Sequence, residues 1–132
     1  MTAKLIHSMV RVIDEEKSTK FYEQAFGLEI FERFDFDDFV LIYLKNRHSN
    51  FELELTVNKS QTDPYDLGNG YGHIAVVVDD VEAEHQRLTK LNLNPQNLVE
   101  FNSHPTLKAK FFFVTDPDGY KIEVLQKMGR FQ

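Results

Sequence analysis

Apolar and polar residues alternate with a period of two through LIHSMVRVID near the start of the chain. This alternation is typical of a half-buried strand, and it puts His7 and Arg11 on one face. Apolar residues then recur with helical spacing over 15–26, between Asp14, a good N-cap, and Gly27, which suits a left-handed position after a helix. The pattern predicts a strand followed by a helix.

Three more strands are predicted before a long loop. The strand candidates are 28–34, 39–45 and 50–58, and polar turn residues separate them. A stretch rich in Pro, Gly, Asn and Asp follows over 59–70, which indicates a linker. On the third candidate, FELELTVN, one face carries Glu52, Glu54, Thr56 and Asn58. That face is too polar for a second core, so either water covers it or it lines a cavity.

The same order then begins again, and this indicates an internal duplication. The second set comprises a strand in YGHIAVVVDD (71–80), a helix over 81–91 and strand candidates in 97–102, 109–116 and 119–127. The last two strand candidates are separated by DPDG, which is typical of a tight turn. The repeat is clear in the order of elements and weak in residue identity.

The duplication brings two histidines and two glutamates into matched positions. His7 and His73 open the first strand of each copy, and Glu54 and Glu123 lie in the last strand of each copy. Two imidazoles and two carboxylates suit an octahedral divalent cation with two positions left for water or substrate. A structural zinc site would more often use thiolates.

Composition narrows the range of functions. The chain has 15 Lys and Arg against 21 Asp and Glu, a net charge of −6, which argues against a nucleic-acid groove. It contains no cysteine, so disulfides and thiolate chemistry are excluded. No segment has the length and hydrophobicity of a signal peptide or a membrane span, and a cytoplasmic location is expected.

Several motifs carry a resemblance to a known family. They are HSMVRVID with FYEQAFGLEI, then ELTVN, YGHIAVVVDDV and FFFVTDPDGYKIEVLQ, and together they cover nearly the whole length. On these motifs the chain resembles the vicinal-oxygen-chelate superfamily and, within it, the glyoxalase I (lactoylglutathione lyase) family. The resemblance implies an α+β fold in a single domain, 1–132, with βαβββ modules at 1–58 and 71–128 that form an open, curled, barrel-like sheet.

The resemblance also implies a reaction and a set of metal ligands. The family isomerises the hemithioacetal of methylglyoxal and glutathione to S-lactoylglutathione by proton transfer through an enediolate. By resemblance, the metal ligands are His7, Glu54, His73 and Glu123. A divalent metal is implied, with nickel or cobalt favoured and zinc possible, because the chain lacks the insertions of the zinc-preferring enzymes.

Further roles follow from the same resemblance. Glu123 is expected to be the catalytic base, with Glu54 as its counterpart, and Arg11 and Asn58 are expected to bind the glutathione carboxylate. The family forms homodimers, so His7 and Glu54 would come from one subunit and the other two ligands from its partner.

The chain departs from the family in one loop. The loop before the penultimate strand is usually glycine-rich, whereas here VEFNSHPTLKAK contains no glycine. Either His104, Lys108 and Lys110 replace the usual anion contacts, or the loop serves another ligand.

Alternative functions remain within and outside the enzyme class. Extradiol dioxygenases and thiol transferases of the same superfamily use three ligands and do not require Glu54, and a related epimerase would carry Gln there. A non-catalytic small-molecule binding protein of this fold would generally lack the ligand set. The presence of Glu54 therefore favours a glyoxalase I.

Overall fold

Strand pairing builds one four-stranded sheet in each half of the chain. The computed structural model describes residues 1–132. The elements are β1 (His7–Arg11), α1 (Glu15–Phe26), β2 (Glu29–Asp35), β3 (Phe39–Lys45), β4 (Glu52–Asn58), β5 (Ile74–Val78), α2 (Val81–Lys90), β6 (Val99–Phe101), β7 (Ala109–Thr115) and β8 (Lys121–Gln126). The two sheets have the orders β1-β4-β3-β2 and β5-β8-β7-β6.

The two sheets have the same topology, as the duplication in the sequence predicts. In each, the first and last strands of the unit are parallel neighbours, and the other pairs are antiparallel. The chain divides into two compact units, Met1–Asp66 and Leu67–Gln132. The predicted α+β class is confirmed, and the sheets are open rather than closed into a barrel.

Within each unit, alternation along the strands separates a buried face from a more open one. In the first unit, Val40, Ile42 and Leu44 of β3 are buried, whereas the residues between them are half-buried. Phe21 and Tyr22 of α1 are also buried. Burying these apolar side chains is the main term that stabilises the unit. The opposite face of this sheet carries His7 and Glu54.

The second unit is built in the same way. Its buried residues include Val81 and Leu88 of α2 and, on the strands, Phe112, Val114, Ile122 and Val124. Because side chains alternate along a strand, the positions between these strand residues point to the other face. That other face carries Phe113 and Glu123.

The predicted DPDG turn between β7 and β8 has a clear hydrogen-bonding basis. Asp116 Oδ1 accepts from the backbone N–H groups of Asp118 and Tyr120, both at 2.9 Å. Gly119 closes the turn at φ 98°, a conformation that a side chain would strain. The turn thereby sets the register between β7 and β8.

Both helices are preceded by an aspartate whose side chain caps the helix N-terminus. Asp14 Oδ1 accepts from Lys17 N at 3.0 Å, and Asp80 Oδ1 accepts from Ala83 N at 3.0 Å. Gly27 follows α1 at φ 65°, as predicted. Neither helix has the length and apolar character needed to cross a membrane.

The cap on α1 supports a stability prediction. Replacing Asp14 by Ala removes the acceptor for an N–H that no other helical residue can satisfy, so the free energy of unfolding should fall by about 1 kcal/mol. Urea denaturation followed by circular dichroism measures this change. Asp37→Ala, in an exposed turn, is the control and should change stability by less than about 0.5 kcal/mol. Equal losses in the two variants would contradict the capping role.

Candidate active site

The open face of the first sheet brings His7 together with Glu54. β1 and β4 run parallel, and Met9 lies opposite Glu54 in the register. His7 is two residues before Met9 and therefore shares its face. His7 Nε2 lies 4.0 Å from Glu54 Oε2, and the two side chains are 36% and 12% exposed. The glutamate is therefore the more protected member of the pair.

The second unit repeats this arrangement with His73 and Glu123. β5 and β8 are parallel, and Ala75, two residues after His73, lies opposite Glu123. His73 Nε2 lies 3.3 Å from Glu123 Oε1, and the side chains are 42% and 17% exposed. The duplication noticed in the sequence therefore extends to the relative placement of imidazole and carboxylate.

The spacing within each pair fits the divalent cation that the resemblance implies. Adjacent ligands of one cation lie about 3 Å apart, and opposite ligands about 4 Å, for bonds of about 2.1 Å. The nitrogen–oxygen distances of 3.3 and 4.0 Å fall in this range. Within either unit, no third histidine or acidic side chain joins the pair to make a metal-binding cluster. Each unit thus presents two donors that fit one cation.

Tyr43 is a site residue that sequence reasoning missed. On β3 it lies directly opposite Glu54, and its hydroxyl donates a hydrogen bond of 2.5 Å to Glu54 Oε1. The pKa of Tyr43 is raised to about 12, first by this hydrogen bond and then by burial and the charges of Glu54 and Glu52. At neutral pH the phenol is therefore protonated and acts as the donor. The sequence signal that could have identified Tyr43 is its hydroxyl, the one polar side-chain group in the run FVLIY.

The two predicted substrate-binding residues lie further along the same face of the first sheet. Arg11 is opposite Thr56 in the β1–β4 register. Asn58 is two residues beyond Thr56, and its Nδ2 donates to the hydroxyl of Tyr65 at 3.1 Å. Both side chains therefore follow Glu54 toward the end of β4. A cation and an amide therefore lie on the sheet face that carries the His7–Glu54 pair, further along the strands.

The loop that departs from the family pattern is held by its own residues. His104 Nδ1 accepts from the backbone N–H groups of Thr106 and Leu107, each at 3.1 Å. Lys108 Nζ donates to the backbone carbonyls of Asn102 at 2.9 Å and His104 at 2.8 Å. These contacts give the loop a local structure that does not depend on glycine.

Lys110, the third candidate anion contact, is also engaged. Its Nζ pairs with Glu82 of α2 and lies 3.6 Å from Glu100 of β6. Two carboxylates therefore already face this ammonium group. His104, Lys108 and Lys110 therefore each already contact other residues of this chain.

The fold and the paired histidines and glutamates define a class: proteins of duplicated βαβββ units with a candidate divalent-metal site on the open sheet faces. Residues 4–124 match the Glyoxalase/Bleomycin resistance protein/Dioxygenase superfamily. The chain belongs to this superfamily.

Individual relatives fall within one branch of it. The chain is 40% identical over 128 residues to the lactoylglutathione lyase of Neisseria meningitidis, covering 94% of this chain and 91% of that protein. It is 37% identical over 126 residues to a probable lactoylglutathione lyase of Synechocystis, covering 92% and 94%.

A solved structure supports the same grouping. The trypanothione-dependent glyoxalase I of Leishmania major superposes with a TM-score of 0.78 at 32% identity, covering 96% of this chain and 88% of that one. The resemblance to the glyoxalase I family inferred from the sequence motifs is confirmed.

Proposed function

We propose that this protein is a lactoylglutathione lyase that isomerises the hemithioacetal of methylglyoxal and glutathione to S-lactoylglutathione. The observation that carries the proposal is the pair of matched His–Glu arrangements, at 4.0 and 3.3 Å, on the open faces of two like sheets. The relatives named lactoylglutathione lyase, at 40% and 37% identity over nearly the whole chain, support the same activity.

The proposed metal ligands are His7, Glu54, His73 and Glu123. A divalent cation held there would supply Lewis-acid stabilisation of the negative charge that develops on the two neighbouring substrate oxygens. Nickel or cobalt is proposed in preference to zinc. Mixed imidazole and carboxylate donors accept all three ions, so the choice depends on geometry and metal supply.

The proton transfer is assigned to Glu123. A carboxylate beside the reacting carbons takes the proton from one carbon and returns it to the next, which a general base of fixed position does efficiently. Glu123 is 17% exposed and has no phenol opposite it, because Phe113 occupies that register position. Glu54 is the counterpart of Glu123 and acts as the second carboxylate ligand.

The complete site is proposed to form between two protomers. Each unit offers two donors, so a four-ligand site needs two such units; we assign module 1–58 of one protomer and module 71–128 of its partner. Apolar side chains exposed on the open sheet faces support such cover, since soluble proteins seldom leave them bare in groups. They include Met9, Phe34, Val77, Val99 and Phe101. A two-fold dimer would contain two identical sites.

Substrate binding is assigned to Arg11 and Asn58, whose guanidinium and amide groups would bind a glutathione carboxylate. A guanidinium group matches a carboxylate with two parallel hydrogen bonds, which gives both affinity and orientation. The loop over 102–108 would then contribute through its backbone and shape. A cytoplasmic location is proposed with the enzyme.

The test combines metal analysis with an assay. Protein purified without chelator should contain a divalent metal and should form thioester from methylglyoxal and glutathione, seen as an increase in ultraviolet absorbance. Treatment with EDTA should abolish the rate, and Ni²⁺ or Co²⁺ should restore it better than Zn²⁺. Metal without a rate would reject this substrate and favour a related metalloenzyme. Absence of both metal and rate would favour a binding protein.

A further inference from the structure

The residue opposite the proposed glutamate ligand differs between the two halves of the proposed site. Tyr43 and Phe113 occupy equivalent positions, because each lies directly opposite the proposed glutamate ligand of its own sheet. Each ring also contacts the neighbouring imidazole edge-on, with centroids 6.0 Å apart for His7 and Tyr43 and 5.2 Å apart for His73 and Phe113. The main difference between the two aromatic side chains is therefore the hydroxyl group.

Because of that hydroxyl group, the two oxygens of the Glu54 carboxylate have different partners. Oε1 accepts the hydrogen bond from Tyr43 at 2.5 Å, whereas Oε2 faces His7 Nε2 at 4.0 Å. One oxygen is thus held by the sheet while the other stays directed toward the side on which a cation would be shared. Glu123 receives no corresponding hydrogen bond from the opposite strand position, since the phenyl ring of Phe113 has no donor.

We propose that Tyr43 is a positioning residue that fixes Glu54, and thereby makes the two glutamates of the site unequal in role. This inference rests on the proposed function. A tethered carboxylate keeps its orientation with little further loss of side-chain entropy when a metal binds, so Glu54 serves as a permanent ligand. Glu123 is then the carboxylate that is free to change its contacts and carry the proton. The asymmetry comes from one strand position in a duplicated fold.

The test measures metal affinity rather than turnover. Metal-stripped wild-type and Tyr43→Phe proteins are titrated with Ni²⁺ in competition with a chelator of known affinity. The variant keeps the ring and its contact with His7, and Phe113 shows that this position of the fold accommodates phenylalanine. We expect Ni²⁺ binding to weaken by about 10- to 100-fold, as when a partner that orients a ligand is removed.

Two further variants separate positioning from a general effect. In a Glu54→Ala background, Tyr43→Phe should cause no additional loss of Ni²⁺ affinity, because the carboxylate that Tyr43 orients has gone. Tyr22→Phe removes a phenol from the buried side of the same unit and should leave Ni²⁺ affinity unchanged. An equal loss in Tyr22→Phe, or the same further loss from Tyr43→Phe in the Glu54→Ala background, would overturn the inference.

The outcome also distinguishes this inference from the proposed function. Equal Ni²⁺ affinities for wild type and Tyr43→Phe would overturn the role of Tyr43 and leave the lyase proposal standing. A wild-type protein that binds none of Ni²⁺, Co²⁺ and Zn²⁺ would overturn both together.

Discussion

Glu123→Gln should lower kcat by about 10²- to 10⁴-fold, the usual contribution of a positioned general base. The amide keeps the size of the side chain and can still offer an oxygen to a cation, but it cannot accept a proton from carbon. Because substrate binding is assigned to other residues, KM should change by less than the rate. Steady-state kinetics with the preformed hemithioacetal, at saturating metal, measures both constants.

Two control variants show whether the loss of kcat is specific to Glu123. Glu84→Gln changes a glutamate on α2 that pairs with Arg87 at 2.6 Å, and it should leave kcat within about two-fold. Glu54→Gln should weaken Ni²⁺ binding, and at saturating metal its kcat should fall less than that of Glu123→Gln. If Glu123→Gln retained a tenth or more of the wild-type kcat while Glu54→Gln lost most of it, the assignment of the base would be reversed.

Two inactive variants should recover activity when they are combined in one dimer. The first variant carries His7→Ala and Glu54→Ala, and the second carries His73→Ala and Glu123→Ala. In a mixed dimer whose sites span the protomers, one site loses all four ligands and the other keeps all four. The mixed dimer should therefore show about half of the wild-type activity, although each variant alone shows none.

Co-expression with two different affinity tags makes this measurement clean. Sequential purification on both tags isolates mixed dimers, and each variant carried through the same steps alone provides the blank. If every site were built within one protomer, each site of the mixed dimer would lack two ligands and the sample would be inactive. An inactive dual-tagged dimer, or failure to recover any dual-tagged species, would reject the shared site.

Local features of the sequence predicted the secondary structure well. Helix α1 runs over the predicted 15–26 because Asp14 and Gly27 provide complete local signals for its start and end. Strand β3 occupies the predicted 39–45. The second helix ends one residue early, at Lys90, and the strand candidate 97–102 shortens to Val99–Phe101. Strand ends depend on where a partner strand stops, and the chain itself does not record that.

Part of the candidate site could also be predicted from the sequence. Matched positions of His7 and His73 and of Glu54 and Glu123 could be read from the repeated order of elements. The contact between Tyr43 and Glu54 could not be read, because the two residues lie on different strands and no local pattern specifies their register. The hydrogen bonds that hold the loop around His104 likewise depend on how the chain folds back on itself.

By itself, then, the sequence determined the order of elements, the duplication and the residue types available for binding a cation. Each of these follows from periodicity, capping or composition, which are properties of neighbouring residues. Only the tertiary structure decided which oxygen of Glu54 faces His7 and which one is held by Tyr43. That choice depends on the pairing of β1, β4 and β3, and a shift of one residue in either register would turn the side chains to opposite faces of the sheet.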